Sequence, residues 1–251
     1  RIRWIDGDVV VFENDPPPSS TDLKGAKQSE PLAVTPKQGA KSPRGKQTDT
    51  RDIVAEHSRA ARAQADFSHR CEALRAHLLD ANFLENKGIG NEIGFFTFCY
   101  DPALEMQART FFAALERESE AGDKPYRIVS RNLYDVFLNI CEKRRILKAI
   151  PVQEAKHGTA SQLKQLSKIC TPAAFAEAID YEPHERGDVL VLTGVGEVYP
   201  FLRIHTLLDN LHVRFSDIPV VIAYPGSYTG HSFSLFNSLS DGNYYRAFDL
   251  V

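Results

Sequence analysis

The sequence predicts an α/β domain in three layers, a mostly parallel sheet with helices on both faces, running from about residue 66 to the C-terminus. Three observations carry this. The apolar runs Val189-Leu190-Val191-Leu192 and Val220 to Tyr224 are continuous rather than alternating, as strands covered on both faces must be. Stretches with apolar residues three and four apart separate them, as amphipathic helices require. The chain of 251 residues is 43% hydrophobic, enough for one large core or for a domain with an appendage.

In chain order, residues 1–12 alternate around Asp6-Gly7 and read as a β-hairpin, with Ile2 and Trp4 answered by Val9 and Val11. From residue 13 to 65 the composition turns polar, beginning with Pro16-Pro17-Pro18. No aromatic residue stands between Phe12 and Phe67. Such a segment buries too little apolar surface to offset its ordering entropy, so it is expected to be a mostly disordered linker that leads into a helix. The helical pattern sets in near Ile53, and Phe67, Cys71, Leu74 and Leu78 fall on one face of a helix ending near Asp80.

After the glycine-bearing loop 86–91, Phe95 to Tyr100 reads as a buried strand. Asp101-Pro102 then supplies an N-cap and a proline at the first helical position. The helix that follows runs to about Glu118 with Leu104, Phe111, Phe112 and Leu115 inward. Tyr126 to Val129 is the next strand, and Leu133, Val136, Phe137 and Ile140 mark the next helix. Thr171-Pro172 opens a short helix to Ile179, and Asp188 to Thr193 is the clearest strand of all. Gly194-Val195-Gly196 ends that strand, and Pro200 is expected to open a helix bearing Phe201, Leu202, Ile204, Leu207, Leu208 and Leu211. Pro219 to Tyr224 is a last apolar strand, expected to turn at Pro225-Gly226.

Charge and cysteine content exclude several classes of function. With 30 Lys and Arg against 33 Asp and Glu the chain is no uniformly basic nucleic-acid coat. Over residues 66–251 the balance is 19 basic to 24 acidic, so only weak DNA binding without sequence preference is expected of the chain alone. One stretch departs from that balance. Between residues 143 and 168 stand Lys143, Arg144, Arg145, Lys148, Lys156, Lys164 and Lys168 against the single acid Glu154. This is either a solvated helix face or a docking patch for one charged partner.

Cys71, Cys99, Cys141 and Cys170 stand far apart with no C-x-x-C and read as reduced core residues of a cytoplasmic protein. No apolar run is long enough to span a membrane, and no signal peptide opens the chain. It begins at Arg1, and its sole methionine is Met106, so it reads as a fragment or as lacking its natural start.

Ligands of open parallel sheets collect beyond the carboxyl ends of the strands, which singles out two loops. The first carries Gly194, Gly196, Glu197 and Tyr199, with Arg203 and His205 just beyond. Its third glycine position is Tyr199, so it fails the dinucleotide fingerprint, and glycines that permit a tight turn are the simpler account. The second carries Gly226, Tyr228 and Gly230. It has three residues between its glycines and His231 where a Walker A loop has lysine. G-x-S-x-G, H-x-H and H-E-x-x-H are all absent, so no catalytic residue, metal site or cofactor is assigned. A nucleotide- or phosphate-binding enzyme using both loops together, with Arg203 or Arg246 clamping an anion, stays open as the alternative.

Four blocks carry a family resemblance. They are Phe83 to Gly94 (FLENKGIGNEIG), Leu192 to Arg203 (LTGVGEVYPFLR), Pro225 to Gly230 (PGSYTG) and Asp241 to Phe248 (DGNYYRAF). In this order, over roughly Asp66 to Val251, they resemble the BrxB family of bacterial BREX phage-defence systems, with a small departure at His231. The resemblance implies a locus that also encodes a methyltransferase, a PglZ-like protein and a large ATPase. It implies no catalytic residues, because none is established for the family.

Together these readings predict a non-enzymatic adaptor that binds the PglZ-like protein or another BREX subunit. Its contact surface is expected among the loop residues already named and Asn243, Tyr244, Tyr245 and Arg246, since Tyr and Arg are favoured at interface hot spots.

Overall fold

The computed structural model describes residues 2–6, 9–12, 50–86, 94–229, 232–240 and 247–250. The chain divides into two units, Arg1–Gln47 and Thr48–Val251. In the first, β1 (Ile2–Asp6) pairs antiparallel with β2 (Val9–Phe12). Of the linker expected over residues 13–65, residues 13–49 lie outside the described residues, and residues 50–65 are helical.

The second unit is the three-layer α/β domain. Its strands are β3 (Phe95–Tyr100), β4 (Arg127–Asn132), β5 (Asp188–Thr193), β6 (Val220–Tyr228) and β9 (Phe248–Asp249). They stand in the order β4-β5-β6-β3-β9, every neighbouring pair parallel. Alternation along the strands feeds two cores. Leu190, Leu192, Val220 and Ile222 face the helices α4 (Leu133–Lys143), α7 (Pro172–Ile179), α8 (Val195–Val198) and α9 (Ile204–Leu211). Val189, Val191, Val221 and Phe98 face α1 (Thr50–His77), α2 (Ala81–Leu84) and α3 (Glu105–Glu120). Both sides of β5 and of the first half of β6 are thus buried, the physical reason for their unbroken apolar sequence.

The caps at Asp101 and Thr171 follow the chemistry read from sequence. Asp101 accepts from the Ala103 amide ahead of α3, with Pro102 opening a single 3-10 turn. Thr171 caps α7, and Asn132 caps α4 by accepting from the amides of Tyr134 and Asp135. The four cysteines are free, three of them buried. Burial pushes the Cys99 and Cys170 thiols up to about 12.

Two expectations are corrected. Pro200 does not open a helix. Tyr199, the residue before it, is held extended, which ends α8 after a single turn. Phe201 instead stacks on Phe137 of α4 at 4.4 Å, Leu202 is buried, and α9 starts only at Ile204. Nor does the chain turn at Pro225-Gly226. β6 runs straight through both residues to Tyr228 and there pairs antiparallel with β7 (Phe233–Leu235), which pairs with β8 (Leu239–Ser240). Gly226 lies at φ 155°, and a Cβ there would stand 2.1 Å from the Ser234 carbonyl oxygen, so glycine serves the close approach of β7.

The basic stretch folds as the end of α4, a 3-10 turn, then α5 (Ile150–His157) and α6 (Thr159–Ile169). α6 buries Gln162 and Leu166, whereas α5 buries no residue.

Candidate functional site

The carboxyl ends of β3, β4, β5 and β6 open on one edge of the sheet, where the sequence places its candidate loops. Glu197 on α8 is the hub of that edge. Its Oε2 accepts from the Asn132 side-chain amide at 2.9 Å, and its Oε1 accepts from Arg109 Nη2 at 2.5 Å. Arg109 lies on α3, so this pair ties the helical layer on one face of the sheet to the layer on the other. The guanidinium also donates from Nε to Glu105 Oε1 at 2.9 Å, and Glu105 Oε2 accepts from the Tyr100 hydroxyl at 2.7 Å.

This network sets the protonation states. Burial opposes ionisation of Glu197, but the Asn132 amide and the Arg109 guanidinium outweigh it and hold the carboxyl below its ordinary value. Burial, reinforced by the neighbouring Glu105 carboxylate, pushes the Tyr100 hydroxyl well above the usual phenol range. An anionic Glu197, a cationic Arg109 and a neutral Tyr100 form a closed chain of donors and acceptors. Among the named groups every charge meets an opposite one, so the network orients the edge.

The glycines of the first loop are packing positions. Gly194 is left-handed at φ 73°, and a Cβ there would stand 2.7 Å from Asn132 Oδ1. At Gly196 the added carbon would stand 2.7 Å from the Phe236 ring and 3.2 Å from Pro225, so the turn between β7 and β8 closes over α8. In the second loop, Tyr228 stacks on Phe233 at 4.6 Å and donates from its hydroxyl to the Ala247 carbonyl at 2.8 Å, completing the edge of the core.

The candidate residues do not form one cleft. Tyr199 and Arg203 line a cleft of about 310 Å³ floored by Val195, Leu202 and Tyr224. Gly226 and Tyr228 line a different one, of about 240 Å³, with Cys99, Asp101 and the Arg70 to Asp66 ion pair. His205 lies half-buried in the first turn of α9. Gly230, Asn243, Tyr244, Tyr245 and Arg246 lie outside the described residues. Lys143, Arg144, Arg145 and Lys148 are exposed, at the far end of α4 from this edge. No group of residues that could hold a metal ion occurs among the described residues.

Arg109, Asn132, Glu105 and Tyr100 were not singled out from the sequence. A signal for them existed. Asn132 is a polar residue at a strand's carboxyl end, and Glu105 and Arg109 are four apart in the helix that follows another such end. Sequence separation hides the rest, because Arg109 and Glu197 are 88 residues apart.

Around this network stands a ring of exposed apolar side chains. Met106, three residues ahead of Arg109, is 71% exposed, and Tyr134 in the first turn of α4 is 38% exposed. Phe236, against Gly196, and Leu239, on the rim of the larger cleft, are similarly open.

A family model described as BREX protein BrxB matches residues 129–250. The BREX protein BrxB of Bacillus cereus (strain H3081.97) is 36% identical over 187 residues, which cover 73% of this chain and 97% of that protein. The BREX protein BrxB of Escherichia coli O9:H4 (strain HS) is 31% identical over 184 residues, covering 73% and 90%. No solved structure matches. No helix among the described residues is long and apolar enough to cross a membrane.

Proposed function

Because the chain belongs to the BrxB family and so to BREX defence systems, we propose that it is a non-enzymatic structural component of the defence complex. In this reading it binds a partner protein, such as the PglZ-like subunit, at the carboxyl edge of its sheet. The single observation that carries the proposal is the ring of Met106, Tyr134, Phe236 and Leu239 around the Arg109 to Glu197 pair. Methionine, aromatic residues and arginine are the types enriched in interfaces, and exposed apolar side chains grouped around a rigid polar centre suit a protein surface better than a small ligand. The internal charge network favours the same reading, since Arg109 already pairs with Glu105 and Glu197 within the chain.

The nucleotide-enzyme alternative needs backbone amides left open by glycine. Here the space beside Gly194, Gly196 and Gly226 is occupied by Asn132, Phe236 and the β7 backbone. DNA, on this account, reaches the complex through other subunits, and the isolated chain binds it weakly and without sequence preference.

Co-purification from cells carrying the rest of the locus tests the proposal. The substitutions Met106→Asp and Tyr134→Ala together are expected to cut partner recovery about tenfold while the melting temperature stays near that of the parent. Full recovery of every partner by that folded double variant would remove the carboxyl edge as the interface. A thermal-shift screen of nucleotides separates the enzyme reading, since a true ligand at about 100 times its Kd adds about 2.7 kcal/mol of stability.

A further inference from the structure

Six arginines elsewhere in the domain are held by ion pairs within the chain. Arg70, Arg75, Arg109, Arg127, Arg186 and Arg214 each contact a carboxylate. The stretch from residue 143 to 168 behaves differently. Its seven cations, Lys143, Arg144, Arg145, Lys148, Lys156, Lys164 and Lys168, are all exposed. Among the described residues none of them makes an ion pair or a side-chain hydrogen bond.

Two of these cations, Lys164 and Lys168, stand four apart on α6, where like charges repel across one turn. No ion pair among the described residues offsets that repulsion. Val152 and Lys156 are spaced by four along α5, so an apolar side chain stands beside an ammonium group. Val152 is 65% exposed, and α5 buries no residue of its own. The patch begins where α4 ends. Eleven residues of helix, about 16 Å, separate it from the carboxyl edge.

We propose that the end of α4, with α5 and α6, is a second docking surface that takes an acidic segment of a partner protein, one in which an apolar residue stands among carboxylates. This goes beyond the function proposed above and does not depend on it. Charge complementarity selects an anionic occupant, and two features favour protein over nucleic acid. No Phe, Tyr or Trp lies between residues 143 and 168 on which a base could stack, and Val152 has no use against a phosphate chain. A duplex also overruns the patch and meets a body whose balance over residues 66–251 is 19 basic to 24 acidic, which repels it. A short acidic segment reads the patch alone.

Fluorescence anisotropy on the full chain tests this with a labelled peptide repeating Glu-Glu-Leu, at about 0.15 M salt. The peptide is expected to bind. The double substitution Lys164→Glu and Lys168→Glu should weaken it about tenfold and Val152→Ser about threefold, while Met106→Asp leaves it unchanged. A Glu-Glu-Ser peptide and a short DNA duplex should both bind more weakly. Circular dichroism of the variants controls for folding, which these exposed positions are expected to preserve.

Three outcomes would overturn the proposal. Absent peptide binding, or equal binding to the double variant, removes the site. Tighter binding of the duplex or of an RNA strand makes it a nucleic-acid surface. Sedimentation as a dimer that the double variant splits assigns the surface to a second copy of the chain.

Discussion

The carboxyl edge and the α4 to α6 annex use their charged groups in opposite ways. At the edge, Arg109, Glu105, Glu197, Asn132 and Tyr100 satisfy one another and pin α3 and α8 across the rim of the sheet. In the annex seven cations face solvent with no ion-pair partner among the described residues, on helices of which one buries nothing. Partly buried charge must be paired, because desolvating it alone is costly, whereas exposed charge loses little by standing alone and stays available to another molecule. Charge at the edge therefore determines shape, and charge in the annex is free to determine recognition.

The sharpest way to break this contrast is to force the edge apart. Gly226→Ala places a carbon against the Ser234 carbonyl oxygen at 2.1 Å, and neither backbone can yield cheaply. The expected cost is about 3 kcal/mol or more, a fall of roughly 6–12 °C in Tm by circular dichroism. A Tm within a degree or two of the parent would mean that the close approach of β6 and β7 is not a constraint.

Glu197→Gln is a smaller perturbation that removes the charge and keeps the shape. A loss of about 1 kcal/mol at pH 7 is expected, since the side chain is only partly buried. The folded-state pKa of Glu197 lies below its ordinary value of 4.5, so its contribution is fully present above that pH and fades as pH falls through the lowered value. The deficit of the variant, measured by urea unfolding, should therefore shrink below about pH 4.5. A deficit independent of pH would show that the carboxylate charge is not what holds Arg109. Glu118 and Asp188 are held low in the same way and keep part of the acid sensitivity in both proteins.

The annex predicts the opposite sign. Lys164→Glu ends a like-charge contact and places a carboxylate four residues ahead of Lys168, the favourable order along a helix. A gain of about 0.5 kcal/mol is expected in the same unfolding assay. A loss of stability would show that Lys164 has a structural role and would blur the division between the two regions.

How far these regions could be read in advance follows from the range of the forces involved. The α/β class was legible because burial of strands on both faces writes itself into local composition, as in Val189 to Leu192. The caps Asp101 and Thr171 obey chemistry confined to three residues. The basic annex was visible as a run of like charge. Pro200 and Pro225-Gly226 misled because both dipeptides are ordinary punctuation. Packing overruled them, through Phe201 against Phe137 at one and β7 against Gly226 at the other.

By itself, then, the sequence determined the alternation of strands and helices, the absence of recognised catalytic spacings and the charge asymmetry, each a property of residues near one another in the chain. Only the tertiary structure decided what the glycines are for, that Arg109 meets Glu197, and that Met106, Tyr134 and Phe236 surround them. Those facts rest on contacts between distant residues, which exist only once the parallel sheet has set its strands side by side and brought their carboxyl ends to one edge.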